Sequence, residues 1–194
     1  MTTKKRIGLL FGSFNPIHIG HLIVANFMVE NTNLEKVWFV VSPQNPFKEE
    51  DKLLNKFDRY EMVKLATADN DNLEASDIEF DMPKPSYTID TLRVLTKKFP
   101  DTDFVVIVGE DNLQNFRQWK QYSNILESFG LYVYPRFAVA KQEIEPLQNT
   151  KLIQAPLIEI SSTYIRECIK NKKSIQYLVP KTVERLINAK GLYH

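Results

Sequence analysis

The stretch Gly8-Leu-Leu-Phe-Gly-Ser-Phe-Asn-Pro-Ile-His-Ile-Gly-His21 leaves an apolar run, turns at a glycine and enters a helix-forming segment. The run Ile7 to Phe11 is almost continuously apolar, as expected of a strand buried on both faces. Gly12 lets the backbone approach a ligand closely. A helix entered near Gly20 would aim its free N–H groups and positive dipole end back at the turn, which is an anion-binding geometry. Neither GxGxxG nor GxxxxGK[ST] occurs here, so a dinucleotide-binding Rossmann site and a P-loop ATPase both lack their fingerprint. His18 and His21 stand three residues apart at the helix start, a spacing that lets both face one ligand. As zinc ligands they would need further partners, and the chain offers only His194 and Cys168. As packed core histidines they would leave the glycine turn unexplained. As donors to phosphate oxygens they fit the turn they occupy.

Working outward, Val37 to Val41, Phe104 to Val108 and Leu131 to Tyr134 repeat the buried-strand pattern, and Leu73 to Phe80 is a weaker candidate. Helices are expected near Gly20 to Glu30, Lys56 to Ala68, Thr88 to Lys98 and Tyr122 to Ser128. The alternation reads βαβαβαβαβ. It predicts an α/β fold with a doubly wound, mostly parallel sheet, whose ligand crevice lies beyond the carboxyl ends of the strands. After the segment Lys151 to Ile160, Ser161 and Ser162 can cap a helix to about Lys170. Pro180 suits the first position of a last helix ending at Gly191.

The 194 residues, 43% hydrophobic and 25% charged, are a globular composition that fits one domain, 1–194, and excludes disordered and collagen-like classes. With 25 Lys+Arg against 24 Asp+Glu there is no broad basic field, so nucleic acid is not an expected partner. The single cysteine, Cys168, rules out an intrachain disulfide and reads as a small core residue, which suits a reducing cytoplasm. Lys4, Lys5 and Arg6 resemble a signal-peptide start, but Gly12, Asn15 and Pro16 break the apolar run that follows. Neither secretion nor a membrane partner is expected.

Gly12-Ser-Phe-Asn-Pro-Ile-His-Ile-Gly-His21 matches the GxFxPxHxGH motif of the nucleotidyltransferase superfamily related to class I aminoacyl-tRNA synthetases. Ile160-Ser-Ser-Thr-Tyr-Ile-Arg166 matches its late ISSTxxR element. The two motifs stand far apart and in the expected order. Within the superfamily the chain resembles bacterial nicotinate-nucleotide adenylyltransferases over most of its length. The resemblance implies a Rossmann-like nucleotidyltransferase fold with C-terminal helices, the part from about 161 to 194 closing over the phosphate site. It implies adenylyl transfer from ATP to nicotinate mononucleotide, giving deamido-NAD and pyrophosphate, in NAD biosynthesis.

The resemblance also assigns residues. His18 and His21 are the implied catalytic pair. Gly12, Ser13, Phe14, His18, His21, Lys48, Ser162, Thr163 and Arg166 are the implied ATP-binding set. Pro85-Ser-Tyr-Thr-Ile-Asp-Thr-Leu92 resembles SYTxxTL, so Ser86, Tyr87 and Thr88 would receive the nicotinate carboxylate at a helix start, although Ser86 and Thr88 also suit plain capping. Val108-Gly-Glu-Asp-Asn-Leu-Gln-Asn-Phe-Arg-Gln-Trp119 resembles GxDxxxxxxxW. Trp119 would stack on the pyridine, Asp111 would contact ribose or a metal-bound water, and Lys120 would offer a backbone N–H. The chain departs from the pattern at Phe47, where relatives often carry histidine, and at Tyr134-Pro-Arg136, where many read Arg-Pro-Gly. Arg59 matches a family helix and also suits a structural role.

For nucleotidyl transfer the protein positions reactants and stabilises charge, and no protein nucleophile is needed. Mg²⁺ is expected to enter with ATP rather than on a resident metal site. Pantetheine-phosphate adenylyltransferase shares the two end motifs but lacks the SYTxxTL and GxDxxxxxxxW pair. Nicotinamide-mononucleotide adenylyltransferase differs in one substrate group, and an adenylate-sensing domain without turnover would not require His18, His21 and Arg166 together. The sequence accommodates a homo-oligomer without specifying one.

Overall fold

The computed structural model describes residues 4–44, 53–113, 115–136 and 147–194. In chain order the elements are β1 (Lys5–Gly12), α1 (Ile19–Asn31), β2 (Lys36–Val41), α2 (Lys56–Thr67), β3 (Leu73–Ser76), α3 (Thr88–Lys98) and β4 (Thr102–Gly109). They continue with α4 (Glu110–Leu113), a 3₁₀ turn over Phe116–Gln118, α5 (Tyr122–Ser128), β5 (Leu131–Tyr134), β6 (Thr150–Leu152), α6 (Ser162–Lys170) and α7 (Lys181–Lys190).

Six strands form one sheet in the order β3-β2-β1-β4-β5-β6, and every pairing is parallel. The chain winds outward from β1 through β2 to β3, then crosses back to lay β4 on the other side of β1. The strand order therefore reverses between β1 and β4, which opens a crevice at their carboxyl ends, Gly12 and Gly109. Both faces of the sheet are covered, and period-2 alternation sorts the side chains. Leu10, Val105 and Ile107 point to the core under α1, α2, α6 and α7, with Met28, Met62, Ile165 and Ile187. Leu9, Val106 and Val108 point to the opposite core, with Ile89, Leu92 and Ile125 of α3 and α5. Cys168 is buried in the first core.

Several boundaries differ from the sequence reading. The third strand stops at Ser76 rather than Phe80, because Phe80 N–H turns back to the Asp77 carbonyl at 2.8 Å. The edge strand β6 was not foreseen: three residues with an exposed Leu152 show no buried-strand pattern, and pairing to β5 creates the strand. Pro180 is the N-cap of α7 rather than its first residue, with an extended ψ of 147°, and Gly191 ends the helix at φ 60°. Among the described residues no helix is long and apolar enough to cross a membrane.

Candidate active site

The motif residues at the end of β1 explain one another by contact. A Cβ on Gly12 would lie 2.8 Å from Cζ of Phe14, so only glycine lets that ring fold back against the strand. Phe14 adopts φ 45°, is buried, and sets its ring edge-on to His21 at 5.1 Å. A Cβ on Gly20 would sit 3.1 Å from Nδ1 of His18, which explains the second motif glycine. His18 is the N-cap of α1; its backbone N–H donates to Nδ1 of His21 at 3.3 Å, and the two imidazoles stack with centroids 3.6 Å apart. Because Nδ1 of His21 accepts this hydrogen bond, the neutral ring carries its proton on Nε2. Burial, and then the positive charge of Arg136, lower the pKa of His18 to about 4, so this imidazole is neutral near pH 7.

The loop Ser13-Phe-Asn-Pro16 is held from beneath by the C-terminal helices. Ser161 caps α6 by accepting from Tyr164 N–H at 3.1 Å, while the Ser162 hydroxyl donates to the Pro16 carbonyl at 2.8 Å. Arg166 donates to the Asn15 carbonyl at 2.8 Å and to the Thr163 hydroxyl at 3.2 Å. The Asn15 side-chain oxygen accepts from Leu54 N–H at 3.3 Å and from the Tyr193 hydroxyl at 2.9 Å. The backbone N–H groups of Ser162 and Thr163 have no acceptor among the described residues. Arg59, 1% exposed, donates to the carbonyls of Leu54, Ser13, Ser42 and Pro43 at 2.9, 2.5, 2.8 and 3.1 Å. The sequence left its role open, and the geometry makes it the bracket that joins α2 to the loops after β1 and β2. Ser13 Oγ is buried without a partner.

Two cavities flank Tyr134 at the crevice. One, about 130 Å³, is lined by Gly12, Ser86, Tyr87, Thr88, Trp119 and Lys120, among others. The other lies beside His18 and His21, against Arg136 and Ile158, and at about 10 Å³ is nearly closed in this conformation. At the first, Tyr87 is the N-cap of α3 with no side-chain cap, and the N–H groups of Thr88 and Ile89 have no acceptor among the described residues. The N–H of Lys120 is likewise without one. Lys120 Nζ reaches Asp90 at 2.7 Å and lies 4.7 Å from the centre of the Tyr87 ring, tying the Trp119 loop to α3. Trp119 packs on Phe116 with centroids 5.1 Å apart and keeps one side on the cavity.

The structure thus brings Ser86, Tyr87, Thr88, Trp119 and Lys120 to one cavity and His18 and His21 to the other. Ser162, Thr163 and Arg166 stand on the loop between β1 and α1. Phe14 lies under His21 rather than on a cavity wall. Asp111 is exposed at the end of β4 and pairs with Nε of Arg136 at 3.7 Å. Phe47 and Lys48 lie outside the described residues. Arg136, understated by the sequence because the local order differs from the motif, stands beside His18. Glu79 was missed altogether. It is 1% exposed on the cavity wall and accepts from the Ser86 hydroxyl at 2.6 Å and from Thr91 at 2.8 Å.

A parallel sheet with a strand-order reversal carries a stacked imidazole pair at the start of α1, beside the crevice. Residues 9–168 match the family model described as cytidylyltransferase-like. Relatives named "probable nicotinate-nucleotide adenylyltransferase" share 54% identity in Cytophaga hutchinsonii, over 97% of this chain and 98% of theirs, and 50% in Flavobacterium psychrophilum, over 97% and 98%. The chain belongs to the cytidylyltransferase-like family and, within it, to the nicotinate-nucleotide adenylyltransferases. It is an enzyme of the nucleotidyltransferase class. The solved nicotinic acid mononucleotide adenylyltransferase of Plasmodium falciparum complexed with NaAD has the same fold, with a TM-score of 0.83, 19% identity and 97% of each chain covered.

Proposed function

We propose that the protein transfers the adenylyl group of ATP to nicotinate mononucleotide, releasing pyrophosphate and forming deamido-NAD. The observation that carries the reading is the cavity between α3 and the Trp119 loop. It pairs an aromatic face with Thr88 and Lys120, whose N–H groups have no acceptor among the described residues, which suits a flat ring bearing a carboxylate. The relatives' names point to the same substrate.

In this reading an oxygen of the mononucleotide phosphate attacks the α-phosphorus of ATP in line, and the bond from that phosphorus to the bridging oxygen breaks. His21, its proton on Nε2, donates to charge gathering on the α-phosphate. Neutral His18 stands behind it without adding a cation. The N–H groups at the start of α6, the Ser162 and Thr163 side chains and Arg166 take the outer phosphates, with Gly12, Ser13 and Phe14 shaping the loop below them. The helical part from 161 to 194 closes that side, and Lys48 serves as a further point charge. Among the described residues no cluster of three or more His, Cys, Asp or Glu could cage a metal, while Asp111 offers a hard carboxylate oxygen at the end of β4. A Mg²⁺ ion brought in with the triphosphate would have Asp111 near its waters or the ribose. When bound it neutralises the departing pyrophosphate. The cytoplasm is the compartment this substrate pair and a free buried thiol suit.

The test is kcat/KM for nicotinate and nicotinamide mononucleotides with ATP and Mg²⁺. The amide turns an NH₂ donor toward N–H donors, so the acid should be favoured by at least about 10²-fold. Trp119→Ala should weaken both alike, because stacking does not distinguish them. Equal values on the unmodified protein overturn the acid-specific reading.

A further inference from the structure

The wall of the α3 cavity holds a buried acid that no step above uses. Glu79 follows β3, and its carboxyl faces two hydroxyls from two separate segments. Ser86 of the loop before α3 donates to Oε2 at 2.6 Å, Thr91 of the first turns of α3 donates to Oε1 at 2.8 Å, and Ser42, just after β2, lines the same cavity. No cationic side chain pairs with it among the described residues. Thr91 Oγ1 also lies 3.3 Å from the carbonyl oxygen of Tyr87, the N-cap of α3, but its single proton goes to Glu79 at the shorter distance.

A salt bridge would be the ordinary use of a buried carboxyl, because an unpaired charge is costly away from water. Here the compensation comes from neutral donors alone. Burial raises its pKa, against the opposing pull of the Ser86 and Thr91 hydroxyls. The arrangement is a clamp. It ties the loop before α3 to α3 itself through one group, on the wall of the cavity that the start of α3 lines.

We propose that Glu79 is a positioning residue for the mononucleotide. By holding Ser86 and Thr91 together it fixes the first turn of α3, and that fixed turn sets the preference for an acid over an amide. The inference rests on the reading that this helix start receives the substrate carboxylate. Donors discriminate against an NH₂ group only while they are held rigid and dry. A loosened helix end can rotate a carbonyl or admit water toward the amide and so lose the discrimination.

Three variants test this: Glu79→Ala, Glu79→Gln and Thr91→Val, each assayed with both mononucleotides and with ATP varied separately. Glu79→Ala is expected to raise KM for nicotinate mononucleotide by about tenfold or more, the scale of one lost hydrogen bond to a charged group. It should also cut the acid-to-amide ratio in kcat/KM by about tenfold while leaving KM for ATP within about threefold. Glu79→Gln keeps one acceptor and one donor for the hydroxyls and should restore most of both values. Thr91→Val keeps the volume, removes one arm without entering the cavity, and should fall between, which preserves the test if Glu79→Ala does not fold. If the unmodified protein prefers the acid and Thr91→Val and any folded Glu79→Ala keep that ratio and KM, or if KM for ATP rises in parallel, the role of Glu79 is overturned and the substrate reading stands. A ratio near one on the unmodified protein overturns both.

Discussion

The backbone N–H of His18 donates to Nδ1 of His21 at 3.3 Å, and the two rings stack at 3.6 Å. One bond thus caps α1 and settles which nitrogen of His21 holds the proton.

His21→Ala should lower kcat by about 10²–10³-fold, the usual loss for one preorganised donor to developing charge, and His18→Ala, which removes the ring stacked against that donor, should lower it as well. The cap lost with His21 is worth only about 1 kcal/mol, so the fold should persist. Steady-state rates beside circular dichroism check this, and near-unchanged turnover in both variants would remove the pair from catalysis.

The buried His18 makes stability depend on acidity. Its pKa is about 4 in the fold, against 6.5 for an unperturbed histidine, so between those values the unfolded chain binds more protons. The contribution is complete above about pH 6.5 and is lost as pH falls toward 4, amounting to about 3 kcal/mol. Urea unfolding at pH 7.5 and 4.5 should show this fall, and His18→Asn should flatten it. Turnover should show no step from His18 titration between pH 6 and 8.

Arg59→Met strips the donors from the carbonyls of Ser13, Ser42, Pro43 and Leu54 in one change. Stranded buried acceptors should cost about 2–4 kcal/mol, or roughly 5–15 °C in Tm. Lysine keeps a charge but not the planar fork, so Arg59→Lys should recover only part of the loss. Thermal unfolding decides it: a Tm equal to the unmodified protein's in both variants would mean the four bonds are dispensable.

Arg166 should separate the two substrates. Arg166→Ala removes a cation at the start of α6 and its bond to the Asn15 carbonyl, so KM for ATP should rise by about tenfold or more while the mononucleotide KM changes little. Arg166→Lys should lie between. Unchanged ATP kinetics in the alanine variant would refute the assignment.

Strands β1, β2, β4 and β5 were legible because each is a short apolar run between turn residues. The pattern of the GxFxPxHxGH segment was legible because its residues act on near neighbours: Gly12 on Phe14, His18 on Gly20 and His21. The edge strand β6 was not, since three exposed residues become a strand only by pairing with β5. Arg136 was underrated because its order in the chain departs from the motif, whereas its place beside His18 depends on where β5 ends.

What the amino-acid sequence determined by itself was the alternation of strands and helices, the Ser161 cap of α6, and the two histidines on one helix start. All of these follow from residues within a few positions of one another, where propensity and periodicity act. Only the tertiary structure decided what stands behind the site. Glu79 meets Thr91 across 12 positions, Arg59 meets Ser13 across 46, and Tyr193 meets Asn15 across 178. A glutamate, an arginine and a tyrosine in a sequence carry no sign of burial or of partners that distant. Their roles arise because the winding of the sheet closes long loops and leaves polar groups inside, where each must find a hydrogen bond or destabilise the fold.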